Sequence, residues 1–599
     1  MKYSDYFIDS LVELGYTHCF FVGGGNIMHL LESARTKIEC IAVVNEVSAG
    51  IAAEYFNVAN RENGQRAFAL VTAGPGLTNI VTAVAGAWLE SRELLVIGGQ
   101  ARTNLLSSGS IRQVGHQEVA GTKILRPITK ISNTLLEPLP KDSIQKLVRV
   151  SKELRKGPVF LEICLDVTAM EIVPENLQKR VETKSLKMPS ISETKFKELM
   201  NLLQKSKRPL FLVGGGLNYS SFKKNLKYME KWKIPVATTW NAADYLDYEN
   251  GIYAGRPNTY GMRWANAVIQ QADLVVAFGA RLGLQQTGFA WEDFVPVGKI
   301  VRVDVDQDEL ERVNPKSDLL IHADAGEVLD RLVQDFDKSK TIQYTNWIDD
   351  ILRIRKSLPV VENETFQFEG YANPFEFVYE LGKLLTDEDQ VIPCSSGGSY
   401  TSMMQAFPQK QGQLLTNNKG LASMGYGLAG AIGSAIAFKR KRTILVEGDG
   451  GFAQNLSEIG TVVNRKLNLK MIIFSNLGYA SIRVSQKAYF NGNYVGCDSL
   501  TGVELPNWSS LFASYGIPTI EVNGSILHND NFLKLLNDSG PAAFIINIHP
   551  DQSFLPKVTS KIFSDGKMKS NPIHLMDPQL PLQLAQKCFS ALPENLWTV

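Results

Sequence analysis

No apolar run in the 599 residues approaches the ~20 needed to cross a bilayer, so a membrane-spanning protein is not expected. Cysteine is scarce. The six residues Cys19, Cys40, Cys164, Cys394, Cys497 and Cys588 show no CxxC spacing. This argues against a disulfide framework or a zinc site and fits reduced core thiols. Histidine is nearly as scarce, seven scattered residues, which argues against a histidine-rich metal centre. Neither sign of charge is in excess: 62 Lys and Arg against 61 Asp and Glu leave +1. Nucleic acid and anionic membrane surfaces are therefore not expected as partners. The opening residues Met1 to Tyr6 lack the basic and apolar regions of a signal peptide, so a cytoplasmic protein is expected.

What the chain does contain is an ordinary globular balance, 44% hydrophobic and 21% charged residues, over a length sufficient for about three or four domains. Strand-like apolar runs alternate with amphipathic helical stretches throughout. The expected fold class is α/β, with three doubly wound parallel-sheet domains. The first domain is expected over 1–175, with strands at Cys19–Val22, Ile41–Val44, Ala67–Val71, Leu94–Ile97 and Val159–Ile163. A polar linker, Pro174 to Lys195, separates it from a central domain over 190–337. A second polar connector, Asp337 to about Glu369, leads to a third domain over 370–550, and a Pro- and Lys-containing tail, 551–599, is expected to wrap over the surface. The first and third domains share a strand–glycine–helix rhythm without a clean repeat.

The most informative segment is Glu447-Gly448-Asp449-Gly450-Gly451-Phe452-Ala453-Gln454-Asn455, followed by Ser475-Asn476-Leu477-Gly478-Tyr479. Thr443 to Val446 reads as a buried strand, Leu456 to Val463 as a helix, and Lys470 to Phe474 as the next strand. Two neighbouring strand ends then each present a hard oxygen ligand, at the edge where parallel sheets bind ligands. A carboxylate, an amide oxygen and a backbone carbonyl suit Mg2+, which takes its remaining ligands from phosphate and water. The glycines admit a diphosphate. A plain strand-to-helix turn would use the same residue types, and the motif alone does not decide between the two.

Further motifs decide it. Val44-Asn45-Glu46 precedes the helix Ala49 to Phe56, Thr72-Ala73-Gly74-Pro75-Gly76-Leu77-Thr78-Asn79 follows a strand, and Gly420-Leu421-Ala422-Ser423-Met424-Gly425-Tyr426-Gly427-Leu428 precedes the acidic turn. With these the chain resembles, over almost its whole length, the thiamine-diphosphate enzymes of the acetolactate synthase type. Ile111 to Glu118, Tyr494 to Asp498 and the tail Ser560 to Pro578 look like the acetolactate-synthase-like proteins of bacterial surface-polysaccharide (lipopolysaccharide) and unusual-sugar pathways.

The resemblance implies roles residue by residue. Glu46 would contact the cofactor's aminopyrimidine and drive acid–base catalysis relayed through it. Thr72, Pro75 and Asn79 would line the pyrimidine side. Ser423 and Met424 would lie under the cofactor, with Met424 bending its two rings together. Asp449, Asn476 and the Gly478 carbonyl would ligate Mg2+. Gly448, Gly450, Gly451, Tyr479 and Ala480 would complete that cradle, and Ser395, Ser396, Gly397 and Gly398 would meet the diphosphate. Gly23 to Gly25, with Gly24 foremost, and Gln117 would approach the reactive carbon. His116 stands where acetolactate synthases usually carry Phe, and Lys130 matches a lysine near the access channel. FAD is left open: Gly214 to Gly216, Gly261 to Arg263, Gly279 to Arg281 and Asp304 to Asp306 match its site loosely, but Gly283, Leu284 and Gln285 depart from the pattern. The implied activity is a carboligase acting on small molecules: decarboxylation of a 2-keto acid such as pyruvate, and transfer of the two-carbon unit to a second 2-keto acid or a keto-deoxysugar. The implied assembly is a homodimer or homotetramer with sites at the subunit interface. The alternatives are a decarboxylase, lyase or C–C hydrolase with the same cofactor, and a silent scaffolding paralogue.

Overall fold

The computed structural model describes residues 1–177, 187–336, 343–362, 368–394, 396–439, 441–562 and 568–598. Ser395, one of the diphosphate candidates, lies outside them. Three parallel sheets carry the fold. The first has six strands in the order Glu39–Ala42, Tyr16–Phe21, Arg66–Val71, Leu94–Gln100, Pro158–Cys164, Ile131–Leu135. The third repeats that order with Leu414–Leu415, Gln390–Pro393, Thr443–Gly448, Leu469–Ser475, Ala542–Asn547 and Thr519–Val522. The middle sheet has five, Leu319–His322, Lys299–Asp304, Leu274–Phe278, Pro209–Val213 and Val236–Thr238. The central strands are buried along their length, as parallel strands covered by helices on both faces must be.

The strand Ile131–Leu135 is not apparent as an apolar run. It lies at the sheet edge and carries Ser132, Asn133 and Thr134 between its two apolar ends. The connector after Asp337 is more than a linker. Its helix Thr345–Ser357 buries Trp347, Ile348, Ile351 and Ile354 against the middle core at helical spacing. The tail also packs against the middle domain. Ile573, Ala585, Cys588 and Phe589 belong to its core, and every residue of the helix Arg263–Gln271 is buried beneath neighbouring segments. Asn266 donates to the Ile573 carbonyl at 2.9 Å and Gln271 to the Cys588 carbonyl at 2.8 Å.

The first and third domains are one packed unit. The helix Glu46–Ala59 lies against Tyr426–Ala437 so closely that a Cβ on Gly433 would fall 2.1 Å from the Ala52 carbonyl oxygen. Their apolar faces share a single core that includes Ala52, Tyr55, Leu428 and Ile432. No helix among the described residues is long and apolar enough to cross a membrane.

Candidate active site

In both six-stranded sheets the chain order reverses between the first and third strands in sequence. That crevice, beyond the carboxyl ends of the strands, is where open α/β sheets bind ligands. In the third domain it is flanked by Ser396-Gly397-Gly398 after one strand and Gly448-Asp449-Gly450 after the other. Each turn opens a helix, Gly397–Ala406 and Asp449–Ala453, so free backbone N–H groups face the crevice. Gly397 has φ +80°, which favours glycine.

Asp449 is buried at the start of its helix. Its Oδ1 accepts from the Gly450 N–H at 2.7 Å, and its Oδ2 from Asn476 N–H at 2.9 Å and Gly478 N–H at 3.3 Å. Burial outweighs these bonds and pushes the carboxyl up to about 6. The Asn476 side-chain oxygen lies 2.9 Å from the Gly478 carbonyl oxygen and 3.3 Å from Asp449 Oδ1. An amide turned the other way would donate to both; a cation held here would instead require the oxygen to face inward. Ligands at ~2.0–2.1 Å in an octahedron stand roughly 3 Å from one another, so these two separations suit neighbouring ligands of a Mg2+ shell. Such a site uses one carboxylate, one amide and one carbonyl, and so forms no cluster of acidic, His or Cys side chains; none is found among the described residues. Gly478 is obligatory: its φ is +136°, and a Cβ there would come 2.1 Å from the Cys497 carbonyl oxygen.

Met424 sits just before Gly425, which turns at φ +81° and caps the helix Tyr426–Ala437. Its side chain is 38% exposed and its sulfur accepts from Gln454 Nε2 at 3.7 Å. Ser423 donates to the Met424 carbonyl. Gly451 packs on Glu447, and Gly450 on the ring of Tyr479, which precedes Ala480 at the start of the next helix.

In the first domain Glu46 opens the helix Glu46–Ala59 behind its N-cap Asn45. It is largely buried, and its Oε2 accepts from Asn79 Nδ2 at 2.9 Å. The Thr72 hydroxyl is buried with no partner among the described residues. Gly24 crosses it so closely that a Cβ would lie 2.4 Å from the threonine side chain. Gly74, φ +67°, precedes Pro75, and a Cβ there would meet the Gln117 carbonyl oxygen at 2.8 Å. Glu118 holds that loop in place, accepting from Ser107 N–H at 2.6 Å, Val114 N–H at 2.9 Å and Gly115 N–H at 3.1 Å. His116 is exposed at the loop surface. The structure thus gathers Gly24, Thr72, Gly74 and Gln117 at one crevice, with Glu46 and Asn79 paired.

Asn455 and Glu458, beyond the acidic turn, tie the two halves. Glu458 Oε1 accepts from the backbone N–H of Val44 at 3.0 Å and Asn45 at 3.1 Å, and Asn455 donates to the Ser48 hydroxyl at 2.9 Å and the Gly425 carbonyl at 3.1 Å. They therefore bracket Glu46 from the third domain of the same chain. Lys130 precedes the edge strand of the first sheet. It stands at the N-terminal end of its strand, away from the strand ends that form the crevice, and donates to the Glu153 carbonyl. In the middle domain the glycine turns close on each other, Gly216 N–H donating to the Gly279 carbonyl at 3.0 Å. Asp306 is engaged by Arg155 at 2.7 Å. The loose flavin match gains nothing from these contacts.

Family models match in the same order as the three sheets. Residues 1–124 match the thiamine pyrophosphate enzyme N-terminal TPP binding domain, 196–332 the central domain, and 396–546 the C-terminal TPP binding domain. The chain belongs to the thiamine pyrophosphate enzymes. Thiamine pyrophosphate is the compound also called thiamine diphosphate. Within that family the chain is of the acetolactate synthase type. It is 26% identical to the acetolactate synthase isozyme 1 large subunit of Escherichia coli (strain K12), over 93% of this chain and 95% of that one. It is 27% identical to the acetolactate synthase large subunit of Lactococcus lactis subsp. lactis (strain IL1403), over 93% and 94%. It is 28% identical to that of Cyanidium caldarium, over 95% and 96%. None of these three relatives bears on the expected link to surface sugars.

Proposed function

We propose that this thiamine pyrophosphate enzyme is a Mg2+-dependent carboligase. It takes a 2-keto acid, pyruvate in the first instance, removes carbon dioxide and joins the two-carbon unit to an acceptor carbonyl. The acceptor is a second 2-keto acid or a keto-deoxysugar. The observation that carries this reading is the oxygen group of Asp449, Asn476 and Gly478 at one switch-point crevice, with a buried Glu46 at the strand end of a matching sheet.

When bound, thiamine diphosphate supplies the electron sink that lets the keto acid lose carbon dioxide. The chain's residues do the rest. Asp449, Asn476 and the Gly478 carbonyl would hold the cation, and the helix N-terminus at Gly397 would meet the diphosphate charge. Met424 fills the space beneath the rings. Asn79 fixes one carboxylate oxygen of Glu46, leaving the other to hold a proton against the pyrimidine ring nitrogen. Thr72 offers an unengaged hydroxyl on the same side. Gly24, Gln117 and His116 line the approach to the reacting carbon, where His116 in place of the family's usual Phe gives a polar group for a hydroxylated acceptor.

We further read the chain as a homodimer or homotetramer. Beside the metal loop, Leu477, Phe490, Val495 and Leu500 stand exposed, Leu500 at 95%, with Val44 and Met424 nearby in sequence to Glu46 and the cofactor turn. Apolar side chains left open around a site mark an interface. Sedimentation is expected to give at least twice the chain mass of 66.3 kDa, and Leu500→Asp to shift it toward monomer with loss of turnover. A monomeric, active wild type would overturn this assembly.

The activity is tested by mass spectrometry of products formed from pyruvate with the cofactor and Mg2+, alone and with a panel of 2-keto acids and nucleotide-linked keto-sugars. A product carrying the acceptor plus two carbons is expected. Acetaldehyde as the only product, whatever the acceptor, would replace ligation with simple decarboxylation.

A further inference from the structure

The segment Asn417–Gly425 has no regular secondary structure, yet it delivers Ser423 and Met424 to the crevice. It is held by side chains of the other two domains. Arg92, in the turn before the strand Leu94–Gln100, donates from Nη1 to Glu54 Oε1 at 2.7 Å and from Nη2 to the Asn417 carbonyl at 2.5 Å. Glu54 is fully buried, and its other oxygen accepts from the Tyr426 hydroxyl at 2.6 Å. Glu90, two residues before Arg92, accepts from the Gly420 N–H with one oxygen and from Asn241 Nδ2 of the middle domain with the other. The Asn417 side chain accepts from Tyr400 at 2.8 Å and donates to the Trp240 carbonyl at 3.0 Å. Lys419 lays its ammonium over the Trp240 ring at 4.1 Å and the Tyr400 ring at 5.2 Å. The start of the segment, its middle and the tyrosine that follows it are thus fixed from outside the third domain.

We propose that Arg92, with Glu54 and Glu90, is a three-domain latch that positions Met424 for the reaction. The proposal rests on the reading of Met424 as the residue beneath the cofactor. The chemistry favours arginine specifically. A planar fork holds the carboxylate and the carbonyl from two separate nitrogens at fixed angles, where an ammonium would have to bring both to one point. Burial raises the Glu54 pKa, and pairing with Arg92 and the Tyr426 hydroxyl opposes that rise. The three residues touch no reacting atom; they act through the backbone of the segment.

The test is Arg92→Lys, which keeps the charge beside Glu54 but gives up the second nitrogen that now reaches the Asn417 carbonyl. In the cofactor-free protein, amide hydrogen exchange over Asn417–Gly425 is expected to rise about tenfold while the melting temperature stays nearly unchanged. With cofactor and Mg2+, kcat is expected to fall about ten- to a hundredfold with KM for pyruvate within about twofold, the pattern of misplacement rather than lost binding. Unchanged exchange over this segment overturns the latch whatever the activity does, and raised exchange with unchanged kcat overturns its role in positioning. Should Arg92→Lys not fold, Glu90→Ala at its half-buried site removes the Gly420 anchor and is read in the same way. Met424→Ala separates the two ideas: unchanged turnover there sinks the reading of Met424 and leaves the exchange result on the latch standing.

Discussion

Replacing Glu46 by Gln is expected to lower kcat about a hundred- to a thousandfold, within the range that a positioned acid–base group contributes. The substitution is nearly isosteric. Its carbonyl oxygen can still accept from Asn79 at the geometry now seen at 2.9 Å, so the side chain keeps its place. What is lost is the ability to carry a proton. The helix also loses a negative charge at its first turn, a stabilisation of about 0.3–1 kcal/mol. The melting temperature should therefore fall only slightly, and the response to cofactor and Mg2+ should persist. Steady-state kinetics beside thermal unfolding check both halves. Turnover near that of the wild type would end the proton role of Glu46.

Asp449→Asn should abolish the stabilisation that Mg2+ and thiamine diphosphate confer together, while leaving the cofactor-free chain about as stable as before. The sign follows from the raised pKa. In the folded protein the carboxyl sits at about 6 against 3.8 for an ordinary Asp, so the folded state binds the proton more readily than the unfolded one. Without a cation, this residue's contribution to stability is present at low pH and is lost as pH rises from about 4 through about 6. Above that window the charge is a liability that a cation relieves. Asn sheds the charge but offers only one acceptor where Gly450 on one side and Asn476 and Gly478 on the other now donate, so loss and gain roughly offset. For the wild type, ligand at a hundred times its Kd should add about 2.7 kcal/mol, seen as a clear rise in melting temperature that weakens below pH 6. Differential scanning fluorimetry across pH, with and without Mg2+ and cofactor, decides it. An equal rise in the Asn variant would remove Asp449 from the metal site.

The two halves of this site were legible for different reasons. The acidic turn and Asn476 could be placed side by side because two apolar runs a helix apart must be neighbouring parallel strands, and the observed register pairs Gly448 with Phe474. Glu46 could be placed because it follows a strand and opens a helix. The latch was not legible. Glu90 and Arg92 read as an ordinary polar turn, and their partners lie more than three hundred positions away. The one local hint was Glu54, a lone charge within Ala49 to Phe56, an otherwise apolar helical stretch that could bury it only beside a partner. Lys130 shows a different limit. A matching residue type in a matching stretch says nothing about which end of a strand it occupies, and here it stands at the end away from the crevice.

The way the tail closes over the middle domain has a consequence for the order of events during synthesis. Residues 263–271 are made early, but Asn266 and Gln271 find their acceptors on Ile573 and Cys588. A growing chain must therefore finish its third sheet before its second core can be sealed. The middle domain, flanked in sequence by the cofactor domains, waits for that tail in an unfinished state. Contacts so distant in sequence are the slow ones to form. Until they do, the apolar flank of that helix stays uncovered and is a surface for a chaperone to shield.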